Sequence, residues 1–97
     1  MPIGPCFEKS QTVLWALTPP DGILLHNFSR RLYINLYGLE KIVWDHLDGL
    51  HDAASIVALA QARASVLGMT RSKGRSVAEK VIARLTEGGF IVKRAGA

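Results

Sequence analysis

Asn35-Leu36-Tyr37-Gly38-Leu39-Glu40-Lys41-Ile42-Val43-Trp44-Asp45-His46-Leu47-Asp48-Gly49 is the stretch in which the sequence changes from strand periodicity to helix periodicity. Leu39, Ile42, Val43, Trp44 and Leu47 recur at helical spacing, and Glu40, Lys41, Asp45 and His46 take the remaining positions. A short helix over residues 36–47 is predicted. Asn35 is its expected N-cap, because its side-chain carbonyl can accept from a first-turn N–H, and Gly49 supplies a left-handed stop. Trp44 lies on the inward stripe and is read as a packing anchor.

Upstream, the pattern is that of strands. Residues 12–17 are an apolar, β-rich run closed by Thr18-Pro19-Pro20-Asp21-Gly22, a strong turn signal. Residues 22–28 form a second run around Ile23, Leu24 and Leu25, and Ser29-Arg30-Arg31 turns it into Leu32-Tyr33-Ile34-Asn35. There Leu32 and Ile34 share one face and Tyr33 takes the other. A small antiparallel sheet of two or three strands follows. Alone it is marginal, so helices must cover one face. Residues 1–10, with Pro2, Gly4 and Pro5, read as a flexible lead-in, and residues 11–97 as a single domain.

Downstream, Asp52 is a candidate cap for a second helix carrying Ile56, Val57, Leu59, Ala60 and one of Val66 and Leu67 inward. Its many alanines favour helix and allow close approach to a neighbour. Residues 68–74 break the pattern, and a third helix is predicted from Ser76 to Glu87, with Val77, Val81, Ile82 and Leu85 as its stripe and Gly88-Gly89 as its stop. Phe90-Ile91-Val92 can pack back on the core. The expected fold is α+β and winged-helix-like, a small N-terminal antiparallel sheet followed by a three-helix bundle.

With 97 residues the chain suffices for one modest core. Its 48% hydrophobic and 21% charged content is that of a globular protein. It has no apolar run long enough to span a bilayer and no signal-peptide pattern at its start, so a cytoplasmic protein without membrane contact is expected. The single cysteine, Cys6, agrees with a reducing compartment. Charge is uneven: residues 1–62 carry −2 and residues 63–97 carry +6. A basic C-terminal half suits an anionic partner, either nucleic acid or an acidic peptide.

Catalytic chemistry finds little to stand on. His26, His46 and His51 lack the spacing of a helical metal pair, no glycine cluster makes a phosphate loop, and Asp48 before Gly49 reads as a turn-former. A non-enzyme without a cofactor is expected.

More specific words remain. Ile34-Asn35, Gly38, Trp44 and Leu47-Asp48-Gly49 resemble the Leu-Asn-x-x-Gly, Trp and Leu-Asp-Gly pattern of the PqqD-like family, the RiPP recognition elements of ribosomal peptide modification pathways. Ile56 with Leu59 is similar to the family's second-helix pair, and Leu85-Thr86-Glu87-Gly88-Gly89-Phe90-Ile91 to its closing Leu-x-x-x-Gly-Leu-Ile. The likeness spans about residues 21–92. Leu36 and Tyr37, and the basic opening of the third helix, depart from the pattern.

The resemblance implies a module that captures the leader of a precursor peptide and presents it to a modifying enzyme, such as a radical SAM enzyme, a cyclase or a leader peptidase. Binding would be by strand addition to a sheet edge. The implied edge is Arg31, Leu32, Tyr33, Ile34 and Asn35. The implied groove wall is the third-helix flank with Arg75, Ala78, Glu79 and Ile82, and Arg71, Lys73 and Arg75 would pair with acids of the leader. An exposed hairpin edge could also pair two copies into a homodimer. Two competing readings are a winged helix-turn-helix binding DNA through Arg75, Lys80 and Arg84, and a structural subunit of a larger enzyme. Against DNA stand the long connection expected between the second and third helices and the lack of room for a C-terminal wing.

Overall fold

The computed structural model describes residues 6–94. In chain order these are β1 (Cys6–Lys9), β2 (Val13–Thr18), β3 (Gly22–Asn27), β4 (Leu32–Tyr37), α1 (Leu39–Asp45), β5 (Asp48–Asp52), α2 (Ala53–Val66), α3 (Arg71–Glu87) and β6 (Ile91–Arg94). Two three-stranded antiparallel sheets result. The expected hairpin sheet has the order β2-β3-β4, and a second has the order β5-β1-β6.

The second sheet was not foreseen. Residues 6–9, expected within a frayed lead-in, pair with both β5 and β6. The reason is burial: Phe7 is buried in the main cluster, and the strand bridges two partners distant in sequence. Residues 1–5 of that expected lead-in lie outside the described residues. The stop at Asp48-Gly49 is likewise the start of β5.

The change from strand to helix falls later than expected. β4 continues through Leu36 and Tyr37, and α1 begins at Leu39 with Gly38 at its N-cap position. Asn35 is therefore a strand residue and not a cap; its amide donates to the Tyr37 hydroxyl at 2.8 Å. Strand pairing decides this, because Leu36 sits opposite Ile23 and is fully buried. Gly38 takes φ 57°, ψ −122° at the corner, where any side chain would be strained.

The helices meet through small residues. The Asp52 carboxylate accepts from Ser55 N–H at 2.8 Å, and this bond holds its pKa below the ordinary carboxylate value. α2 ends in a Schellman arrangement, with Met69 N–H on Ala64 O and Gly68 N–H on Ser65 O. Val66 and Leu67, one of them expected inward, are both exposed because the buried stripe runs through Ile56, Ala60 and Ala64. Thr70 then caps α3 at once, its hydroxyl accepting from Lys73 N–H at 3.0 Å. The connection is thus only residues 67–70, and α3 starts at Arg71 rather than Ser76. Gly74, expected to break the helix, is buried inside it. A Cβ there would lie 2.7 Å from Ala64 Cβ and 2.8 Å from Ala60 O, so glycine is what lets α3 lie so close to α2.

One core joins the layers. Ile23, Leu25 and Leu36 of the hairpin sheet, Val43 and Trp44 of α1, Ile56, Ala60 and Ala64 of α2, and Ala78, Val81 and Leu85 of α3 are all buried. Phe90 and Ile91 pack back as expected. Trp44 is 2% exposed, and the Lys9 ammonium lies 5.0 Å from its ring centroid. Desolvation there lowers the Lys9 pKa, against the raising effect of Asp45 and Asp48.

Candidate peptide-binding edge

The hairpin sheet leaves β4 at one edge. Its register with β3 runs one to one from Leu32 opposite Asn27 to Tyr37 opposite Gly22, and Gly38 N–H continues the ladder onto Asp21 O at 3.3 Å. Hydrogen-bonding direction alternates along a strand. Leu32, Ile34 and Leu36 therefore turn their backbone groups toward β3, and Tyr33, Asn35 and Tyr37 turn theirs outward. Tyr37 N–H donates to Glu40 Oε1 at 3.2 Å, closing that end of the edge. The open positions are Tyr33 and Asn35.

Side chains along β4 grade from groove to core. Leu32 is 42% exposed, Ile34 half-buried and Leu36 fully buried. On the outer face Tyr33 stacks on His26, its cross-strand partner, with centroids 4.1 Å apart and planes 2° from parallel. That contact braces the strand at its most open position.

The hairpin is fastened to the end of α3. The buried Asn27 amide donates to Gly88 O at 2.8 Å, and its carbonyl accepts from the Thr12 and Ser29 hydroxyls. Arg30 donates to Glu87 O at 2.8 Å. These bonds occupy carbonyls that a helix C-terminus leaves without intrahelical partners. They also set the width of a shallow groove of about 440 Å³ lined by Leu32, Tyr33, Ile34, Arg84, Glu87, Gly88 and Phe90. Arg84 is held over it by Glu40 at 3.4 Å. Helical spacing puts Lys80 one turn before Arg84 on the same flank.

The expected wall is placed differently. Leu32, Tyr33 and Ile34 line the groove, and Arg31 and Asn35 flank them, Arg31 in a left-handed conformation at φ 55°. Ala78, however, is fully buried against the core. Arg75, Glu79 and Ile82 line a different and larger groove, about 780 Å³, with Val57 and Gln61 of α2, Phe7 and Lys93. Arg75 pairs there with Glu79 at 3.4 Å. Arg71 and Lys73 are exposed in the first turn of α3 and line neither groove. The buried stripe of α3 is Gly74, Ala78, Val81 and Leu85; a stripe through Ala78 sends Ile82 to one flank and Arg84 to the other. Asn27, Arg30 and Glu40 were missed as site residues, and Arg84 was named only for the DNA alternative. Their roles come from contacts across 44 to 61 residues of chain, for which the sequence holds no periodic signal.

Among the described residues no group of three or more His, Cys, Asp or Glu side chains is placed to hold a metal ion, and no helix is long and apolar enough to cross a membrane. Asp48 and His51 do approach within 3.0 Å. Desolvation raises the Asp48 pKa, but the bonds from His51 and Leu50 N–H outweigh it and leave the pKa low.

No family profile and no curated protein matches the chain. Among solved structures it is similar to TbiB1 in complex with the TbiA(beta) leader peptide, with a TM-score of 0.67 at 17% identity, covering 87% of this chain and 93% of that one. This chain therefore shares the fold of that protein over most of its length, the fold that its resemblance to the PqqD-like family implied.

Proposed function

We propose that this chain binds the leader segment of a ribosomally made precursor peptide by strand addition at β4 and delivers it to a modifying enzyme or a leader peptidase. The observation that carries this is the open edge at Tyr33 and Asn35 beside an apolar groove, in the fold of a protein solved with a leader peptide bound. An added strand gains backbone hydrogen bonds at the edge while alternate side chains reach Leu32, Ile34 and Phe90. Arg84, Lys80 and Arg31 border the site with positive charge, which suits a leader carrying acids. The test is titration of a fluorescein-labelled synthetic leader from the precursor gene nearest to this one, read by anisotropy. Micromolar or tighter binding that is lost in Ile34→Asp, with circular dichroism unchanged, is expected. No binding to that or any neighbouring leader overturns the reading.

One observation favours the DNA alternative: the connection from α2 to α3 has the length of a helix-turn-helix turn, which removes the main objection drawn from sequence. Yet Arg75 and Arg84 are engaged by Glu79 and Glu40. Duplex binding that weakens steeply with salt would favour that reading over leader capture.

A further inference from the structure

Among the described residues the hairpin sheet has a second edge, β2, with β3 on one side only. Phe28 N–H donates to Thr12 O, which fixes the even-numbered residues of β2 as facing β3. Trp15 and Leu17 therefore present their N–H and C=O groups outward, while the N–H of Val13 is taken by Ser10 O at 3.3 Å. Pairing with β3 is one to one over all six residues, without a bulge, and Val13–Thr18 contains neither charge nor proline. Leu14, Trp15 and Leu17 are 60%, 60% and 64% exposed. Bulges, prolines and edge lysines are the devices that keep such an edge single, and β2 has none of them.

We propose that β2 pairs antiparallel with β2 of a second copy of this chain, about a two-fold axis at Ala16, to make one continuous six-stranded sheet. In that register Trp15 of each copy faces Leu17 of the other as a hydrogen-bonded pair, and the small Ala16 meets its own equivalent on the axis. Aromatic and aliphatic side chains opposite one another stabilise antiparallel pairs. Charge argues for this occupant. The groove beneath Trp15 and Leu17 is closed by Trp44 and Ile23 and bordered by Lys9 and Asp45, one cation and one anion. Two copies meet there without like-charge repulsion, and an acidic or basic partner finds no net charge to recognise.

The interface is small, below the roughly 800 Å² per partner of a stable complex, so dissociation on the order of 100 µM is expected. Sedimentation velocity over a concentration series should show a monomer–dimer equilibrium that disappears in Leu17→Lys, a change at an exposed side chain that leaves the β3 ladder intact. Amide exchange gives a second reading: Trp15 and Leu17 N–H should become protected as concentration rises, and Leu14 and Ala16 should not change. A monomer at all concentrations up to about 500 µM, or a dimer that survives both Leu17→Lys and Trp15→Lys, overturns the proposal. Protection of Trp15 and Leu17 only when a neighbouring pathway enzyme is added also overturns it and assigns the edge to that enzyme. None of these outcomes depends on leader binding at β4.

Discussion

The two edges of the hairpin sheet share one central strand and differ in almost everything else. β4 leads into α1, is bordered by Arg31, Arg84 and Glu40, and lies over a groove walled by the end of α3. β2 is uncharged, free of bulges and exposed on Leu14, Trp15 and Leu17. The backbone groups offered are the same on both sides, so backbone alone selects no partner. Selection comes from what the rest of the chain packs beside each edge. The Glu40 carboxylate ends the β4 edge at Tyr37, so under the proposed function β4 takes an extended peptide of limited length, and under the proposed pairing β2 takes a strand like itself.

The difference can be broken one side at a time. The largest effect is expected from Ile34→Asp, which puts a charge on the groove floor: leader affinity should fall about 100-fold, the cost of burying an unpaired carboxylate, with the sedimentation equilibrium untouched. Asn27→Ala should be felt as stability. It leaves Gly88 O and the Thr12 hydroxyl without their buried partner, costing about 2 kcal/mol and lowering Tm by roughly 10 °C, measurable by thermal denaturation. It should also weaken leader binding more than dimerisation, because it frees the hairpin from α3. Glu40→Ala should sharpen the contrast from the other direction. With Tyr37 N–H open and Arg84 unpaired, an acidic leader should bind about 2- to 5-fold tighter, a gain sized by a single exposed ion pair. Ile82→Ala, on the other flank of α3, should change leader affinity less than about 2-fold in the same titration. Binding that collapses in Ile82→Ala would move the site to the α2–α3 groove.

The smallest effect touches neither edge. The Asp52 carboxyl has its pKa lowered by Ser55 in the folded chain, so its stabilisation is complete above about pH 4 and is lost as pH falls through the folded-state value. Asp52→Asn keeps a capping acceptor. Its Tm should therefore fall less than that of the wild type between neutral and acid pH.

Much of this fold is legible in the sequence. The hairpin strands, the Asp52 cap, the Gly88-Gly89 stop and the buried Trp44 follow from period, turn chemistry and capping, all set by neighbours within a few residues. The errors share a cause. Asn35 looks like a cap and Gly74 like a break because their types favour those roles locally. Leu36 opposite Ile23 keeps the first in a strand, and the close approach of Ala60 and Ala64 makes the second a packing requirement. The edge strand β4 was legible for the same local reason, through the alternation of Leu32, Tyr33 and Ile34. Its wall was not, since one missed turn at the start of α3 and the choice of buried stripe decide which flank Ile82 and Arg84 occupy.

What the sequence by itself determined is the set of pieces: three strands joined by tight turns, three amphipathic or alanine-rich helices, and the words that resemble the PqqD-like family. Only the tertiary structure decided that residues 6–9 and 91–94 complete a second sheet, that Asn27 and Arg30 hold the hairpin against the end of α3, and that the two edges of one sheet face different surroundings. Local period and capping act over a turn or two of chain. Grooves and edges are made by contacts across tens of residues, and those are fixed only when the core closes.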